Sequence, residues 1–357
     1  MPPDQSANTP AYPSPLQPGS VRVGVFSSLA ELNHDHAKSS YQQVFDTVGL
    51  NPELLENPAN SIPFKMVGQL FDLCVEKTGM PHFGLLLGQH TGPEQVGPLA
   101  LLTSCAPNVK TALNKMILHV CVHDRGGAPV LIREGESVKL GYAIYEPINS
   151  GHRYIYDASL GIMCNLMRAM CGEKWAPSEV HFSHSRPEDI QTWETFFRAP
   201  LVFNAGMDAL IFPEHCLRKA IPGRDTQAYA AALGQLEAMD EAMNIGLREK
   251  VYSIVRPLIV SRTCTHHLVA ETLLLHPRTL NRRLQSRDTS LREIIGEVRF
   301  ELAKQMLEES EASLTEISSF LGYDDSSVFS RSFHRWSDVS PTQWRRASRA
   351  TTAQQNI

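Results

Sequence analysis

Up to residue 225 the apolar positions of this chain follow two periods; beyond it only the helical one persists. Three- and four-residue spacing predicts helices around Tyr41–Val48, Pro63–Lys77, Phe83–Gln89 and Val109–His123, a long helix over Gly151–Cys171 and another at Pro187–Phe197. Runs of β-branched and aromatic residues predict strands at Val21–Phe26, Pro129–Arg133, Ser137–Tyr145, Glu179–Ser183, Leu201–Asn204 and Ala209–Phe212. Glu134-Gly135-Glu136 turns a hairpin between two of them. This mixture predicts an α+β domain over 21–225. Residues 226–247 carry no strand signal. Leu233, Leu236 and Met239 fall at helical spacing there, which fits a helical linker, a dimer contact or a helix packed on its own domain.

From 248 to 349 the pattern is all helical and repeats. Ser313 precedes an apolar run, and Glu316 follows three residues later, the spacing of a capping box. Leu314, Ile317 and Leu321 make one apolar face, and Gly322 supplies a left-handed helix end. Asp324 or Asp325 caps the next helix, in which Phe329, Phe333 and Trp336 form a core stripe with Ser327, Arg331 and Arg335 opposite. Ser340-Pro341-x-Gln343 starts a closing helix that carries Trp344, Arg345 and Arg346. Upstream, Leu268, Val269 and Leu273 suit a first helix, and Pro277 opens a second with Leu280 and Leu284 inward. Leu280-Asn281-Arg282-Arg283-Leu284 matches Phe329-Ser330-Arg331-Ser332-Phe333: apolar residues at both ends and an arginine two after the first. Ser290 and Glu293 cap a longer helix between the pairs, with Leu291, Ile294, Ile295, Val298, Leu302 and Leu307 as its apolar stripe. Two short crossed helices with arginines outside the second fit a reader of the DNA major groove. The long helix would hold two such readers about one DNA turn, ~34 Å, apart.

The run LTEISSFLGYDDSSVFSRSFHRWSDVSPTQWRR resembles the signature of the AraC/XylS family of bacterial transcription regulators, in its Gly-Tyr turn, its F-S-R-x-F-x-R-W helix and its S-P ending. Asp338 stands where the family has Gly. In the first pair Leu274 replaces the turn Gly and His276 the capping Ser. The phrases VFDTVGLNPELL, SIPFKMVGQLFDLCVEKTG and SEVHFSHSRPEDIQTWETFF resemble the N-terminal sensory domain of one branch of that family, which includes regulators of ornithine and other amino-acid use. The resemblance implies an α+β sensory domain followed by an all-α DNA-binding domain with two helix-turn-helix motifs joined by a linker helix. It implies base-edge contacts by Arg278, Asn281 and Arg282 in the first module and by Ser326, Ser327 and Arg331 in the second. Arg283, Arg335, Arg345 and Arg346 suit phosphates. It also implies promoter DNA, RNA polymerase and a small-molecule effector as partners, a homodimer and activation of transcription.

Composition narrows the alternatives. Of 357 residues 42% are apolar and 20% charged, enough for two domains with ordinary cores, and the net charge is −5. Positive charge is local: Arg278 to Arg287 holds four arginines and no acid, and local potential is what phosphate binding requires. Seven cysteines without a CxxC pair indicate free thiols in a reducing, cytoplasmic setting. No apolar run is long enough for a membrane span, and no secretory signal is recognisable. Six prolines within residues 1–20 predict a disordered tail, and 350–357 a second one.

Other chemistry finds little support. His119, Cys121, His123 and Asp124 cluster, but a third ligand on one helix face is missing, so packed or surface histidines are expected. His181 and His184 do not share a strand face, and Cys164 and Cys171 suit buried thiols. Trp175, Trp193, Tyr154 and Tyr156 are aromatic candidates for a pocket or for plain core. No cofactor motif is present, and no ligand residue is named. Two other classes stay in view: an enzyme-like N-terminal domain with an appended DNA-binding module, which would need a reactive low-pKa thiol, and a scaffold that has lost its DNA contacts.

Overall fold

The computed structural model describes residues 16–29, 41–310 and 312–355. They belong to two compact units, Met1–Gly246 and Leu247–Ile357.

In the first unit, strands β1 (Ser20–Arg22) and β2 (Ser61–Pro63) pair antiparallel. A second sheet contains β3 (Gly127–Glu134), β4 (Ser137–Ile144), β5 (Glu179–His181), β6 (Leu201–Val202) and β7 (Ala209–Pro213), in the order β3-β4-β7-β5-β6. Its neighbours run antiparallel except β5 and β6, which are parallel. Two expectations change at the start. The strand foreseen over Val21–Phe26 ends at Arg22, and Val23–Phe26 form a buried 3-10 turn. The foreseen tail is already folded at its end: Leu16 is buried, and the Gly19 amide donates to the Arg125 carbonyl at 3.2 Å.

Helices α1 (Tyr41–Thr47), α2 (Phe64–Thr78), α3 (Phe83–His90), α4 (Pro98–Cys105), α5 (Val109–His119), α6 (His152–Cys171), α7 (Gln191–Phe197) and α8 (Thr226–Ala242) complete this unit. The α4 sequence, PLALLTSC, is apolar almost throughout and buried on most sides, so it shows no period to read. Helices α3 and α6 meet backbone to backbone. A Cβ on Gly84 would lie 2.3 Å from the Tyr154 carbonyl oxygen, and one on Gly88 2.5 Å from that of Ala158. Asp225 caps α8 by accepting from the amides of Gln227 (2.8 Å) and Ala228 (3.1 Å). Ala232 and Leu236 of α8 are buried in the core that the sheet shares with α4, α5 and α6.

The second unit is all helical: α9 (Leu247–Val260), α10 (His266–Thr272), α11 (Pro277–Gln285), α12 (Leu291–Glu309), α13 (Leu314–Phe320), α14 (Ser326–Ser337) and α15 (Pro341–Gln355). α12 buries Leu291, Ile294, Val298, Leu302 and Leu307, while Ile295 is only partly covered. Its Phe300 ring meets Phe333 at 5.1 Å and Trp344 at 6.3 Å. The closing helix runs through the stretch foreseen as a tail, as far as Gln355. No described helix is long and apolar enough to cross a membrane.

Candidate nucleic-acid interface and effector cavity

Each helix-turn-helix is built by local chemistry. α10 starts with the Thr265 hydroxyl accepting from the Leu268 amide at 3.1 Å. It ends as Leu274 turns left-handed, with φ 55°. His276 then caps α11, its Nδ1 accepting from the Arg278 amide at 3.2 Å. In the second module Ser313 and Glu316 close a reciprocal capping box, with bonds of 3.2 and 2.7 Å. Gly322 makes the left-handed turn at φ 71°, and Asp325, of the two aspartates considered, caps α14. Asp325 accepts from the Ser327 amide at 2.7 Å and from Val328 at 2.8 Å. The Val328 amide, followed by that of Ser327, holds its carboxyl below the usual aspartate range. Asp338 adopts φ 58°, the conformation the family's Gly would take.

These starts fix which side chains face outward. α11 buries Leu280 and Leu284 and exposes Arg278, Asn281, Arg282 and Arg283. α14 buries Phe329 and Phe333 and exposes Ser327, Arg331 and Arg335, with Ser326 half-covered at its first turn. Trp336 departs from the foreseen core stripe. It is 39% exposed and lies stacked on Phe300 at 5.9 Å and 17°. An open cleft gathers Arg331, Arg335 and Trp336 with Arg292 and Arg299, two arginines not foreseen as DNA contacts. Arg299 lies 4.8 Å over the Tyr323 ring and donates to the Gly322 carbonyl at 3.2 Å, which braces the second turn. Arg346 is exposed, whereas Arg345, foreseen at a phosphate, donates to the carbonyls of Ala312 (2.6 Å) and Leu307 (3.4 Å). That geometry makes Arg345 a tether between α15 and the end of α12.

The first unit contains a cavity of about 120 Å³ that the sequence did not reveal. Apolar side chains from β1, α2, α3, α4, α5 and α6 line most of it, and His123, Asp124, Tyr142 and Ser159 are its polar residues. Trp175, Trp193, Tyr154 and Tyr156 do not line it. Asp124 Oδ1 accepts from the amides of Gly126 (2.8 Å) and Gly127 (3.1 Å), and Oδ2 accepts from the Tyr142 hydroxyl. Burial raises Asp124 to about 6, and the Tyr142 bond works against that rise. Burial, helped by the Arg22 guanidinium, lowers His123 to about 4, so its ring is neutral at pH 7. His123 Nδ1 is buried without a hydrogen-bond partner among the described residues.

The HVCVHD cluster therefore divides. α5 ends at His119 and one 3-10 turn follows, so His119 and His123 do not share a helix face. His119 Nδ1 binds Asp240 Oδ2 of α8 at 2.7 Å, with both side chains buried. Cys164, Cys171 and Cys264 are each pushed up to about 11 by burial, the reverse of a reactive thiol.

Comparison with known proteins accounts for both parts. The arabinose-binding domain of AraC transcription regulators matches residues 40–221, and a helix-turn-helix domain matches 269–347. The ornithine utilization regulator of Pseudomonas aeruginosa is 25% identical over 92% of this chain and 96% of its own length. The regulator VirS of Mycobacterium tuberculosis is 24% identical over 74% of this chain and 78% of its own. The solved structure of transcriptional regulator CdpR from Pseudomonas aeruginosa is 21% identical and covers 86% of this chain and 96% of that chain, with a TM-score of 0.44. The chain belongs to the AraC family: it is a sequence-specific DNA-binding transcription regulator whose N-terminal domain senses a small molecule.

Proposed function

We propose that both helix-turn-helix modules read promoter DNA, and that effector capture in the cavity of the first unit sets how well they do so. The observation that carries this is the repeat itself. Arg282 and Arg331 occupy the same position on α11 and α14, exposed above a buried apolar pair. Arginine fits the acceptor pair of guanine and asparagine that of adenine, so Arg278, Asn281 and Arg282 read bases with the first module. Ser326, Ser327 and Arg331 read with the second, while Arg283, Arg335 and Arg346 hold phosphates.

An effector acts only by binding one conformation better than another. The wall of the cavity supports a route for that bias. Val120, His123 and Asp124 line the cavity, and the adjacent His119 is tied to Asp240, six residues before the first unit ends at Gly246. A ligand that displaces this wall shifts the end of α8 and the chain that leads into α9. The chain acts in the bacterial cytoplasm as a homodimer and activates transcription through contact with RNA polymerase.

Fluorescence anisotropy on the gene's own upstream region and on a scrambled duplex, at several salt concentrations, tests the reading. Arg282→Ala and Arg331→Ala should each cost about 1–3 kcal/mol on the upstream region and less on the scrambled duplex. Equal losses on both duplexes would make these arginines phosphate contacts and remove the base-reading claim.

A further inference from the structure

We infer that the effector is a compact, mainly apolar molecule of about one ring, with a single neutral hydrogen-bonding head held at His123, and that it is neither a sugar nor a free amino acid. This rests on the cavity being the effector site. Two observations carry it further than the family does.

The first is the balance of the lining. Seventeen of the twenty-one residues around the cavity are apolar, and of the four polar ones Asp124 and Tyr142 are bonded to each other, which leaves His123 and Ser159. Both Asp124 oxygens already accept bonds, from Gly126, Gly127 and Tyr142. A sugar brings several hydroxyls and a free amino acid two charges. Each polar group would lose its bonds to water with too few replacements. The Asp124 carboxylate also disfavours an anionic head. The cavity volume, about 120 Å³, is close to the ~150 Å³ of an apolar cavity that takes benzene, which suits a body of about one six-membered ring or a short chain.

The second observation is the unpartnered Nδ1 of His123, a side chain only 8% exposed on the cavity wall. A buried ring nitrogen without a bond is costly unless something completes it. A hydroxyl donates and accepts, so it serves either tautomer of the neutral ring. Burial and Arg22 keep that ring neutral.

Met116 and Met163 lie on the cavity wall and serve as reporters. The full-length protein, labelled with ¹³C at its methionine methyls, is titrated with phenol, toluene, L-ornithine and L-arabinose. Phenol and toluene should shift and saturate the Met116 and Met163 signals and leave Met306 of the second unit in place. Phenol should bind about fivefold tighter, the worth of one neutral hydrogen bond. His123→Leu should abolish that preference and leave toluene binding unchanged; if phenol keeps its advantage, the head assignment falls. Shifts of Met116 and Met163 with ornithine or arabinose, but with neither aromatic probe, would overturn the apolar class and leave the sensing role intact. If no probe moves these methyls, the cavity is a core void and the inference fails. Anisotropy on DNA with the same four compounds separates that outcome from a loss of sensing altogether.

Discussion

The two helix-turn-helix modules reach one geometry with different residues, and the second does so at lower conformational cost. In each, a short helix ends in a left-handed residue and a capped reading helix follows. The first uses Leu274 at φ 55°, although a side chain there crowds the following carbonyl, and caps with an imidazole nitrogen on one amide. The second uses Gly322 and a carboxylate on two amides. The cap comes two residues after the turn in the first module, at His276, and three after it in the second, at Asp325. The core differs in the same direction. Leu280 and Leu284 anchor α11, whereas Phe329 and Phe333 anchor α14 within a cluster that includes Phe300 and Trp344. A reading helix thus needs its arginine placed, and several local solutions place it.

The largest effect on this comparison should come from the core. Phe333→Ala should destabilise α14 by about 3–5 kcal/mol and Leu284→Ala should destabilise α11 by about 2–5 kcal/mol. Amide hydrogen exchange of the two helices reads each loss separately. A greater loss at α11 than at α14 would reverse the ranking.

Next come the turns. Leu274 is 43% exposed, so replacing it sacrifices little burial. Leu274→Gly should stabilise the first module by about 0.5–1 kcal/mol, the relieved backbone strain less the extra freedom glycine gives the unfolded chain. Gly322→Leu should destabilise the second by about 1–2 kcal/mol, because the new side chain is left-handed and its Cβ would sit 3.3 Å from Arg299 Nη2. Thermal denaturation of the full chain with each substitution decides the sign.

The smallest effect separates the caps by pH. The folded-state pKa of Asp325 lies below its ordinary 3.8, so its contribution is present above that value. It is lost as pH falls through the lower folded value. Asp325→Asn should flatten this acid limb for α14 while α11, capped by His276, keeps its own profile. An unchanged limb in the variant would assign the acid response to another carboxyl.

Legibility in the sequence followed the same division. The C-terminal elements were readable because capping boxes, the left-handed glycine and the apolar pairs are local devices. Trp336 was misassigned because period alone cannot tell a buried ring from one stacked on Phe300 at the surface. The tether made by Arg345 was not legible because its carbonyl partners, Leu307 and Ala312, come from another segment. In the first unit, helix α4 has no polar face to mark it. The cavity was invisible because its lining is assembled from β1, β3, β4 and five helices, with the turns between them, scattered along the chain. His119 and His123 share a helical spacing, but His119 is bonded to Asp240, far away in sequence, and His123 lines a cavity.

Hydroxyl-radical footprinting of the upstream region tests the central claim, that two unlike modules both engage DNA. The account predicts two protected segments about one helical turn, ~10 bp, apart, with Arg282→Ala weakening one and Arg331→Ala the other. A single protected segment that Arg282→Ala leaves unchanged would contradict it.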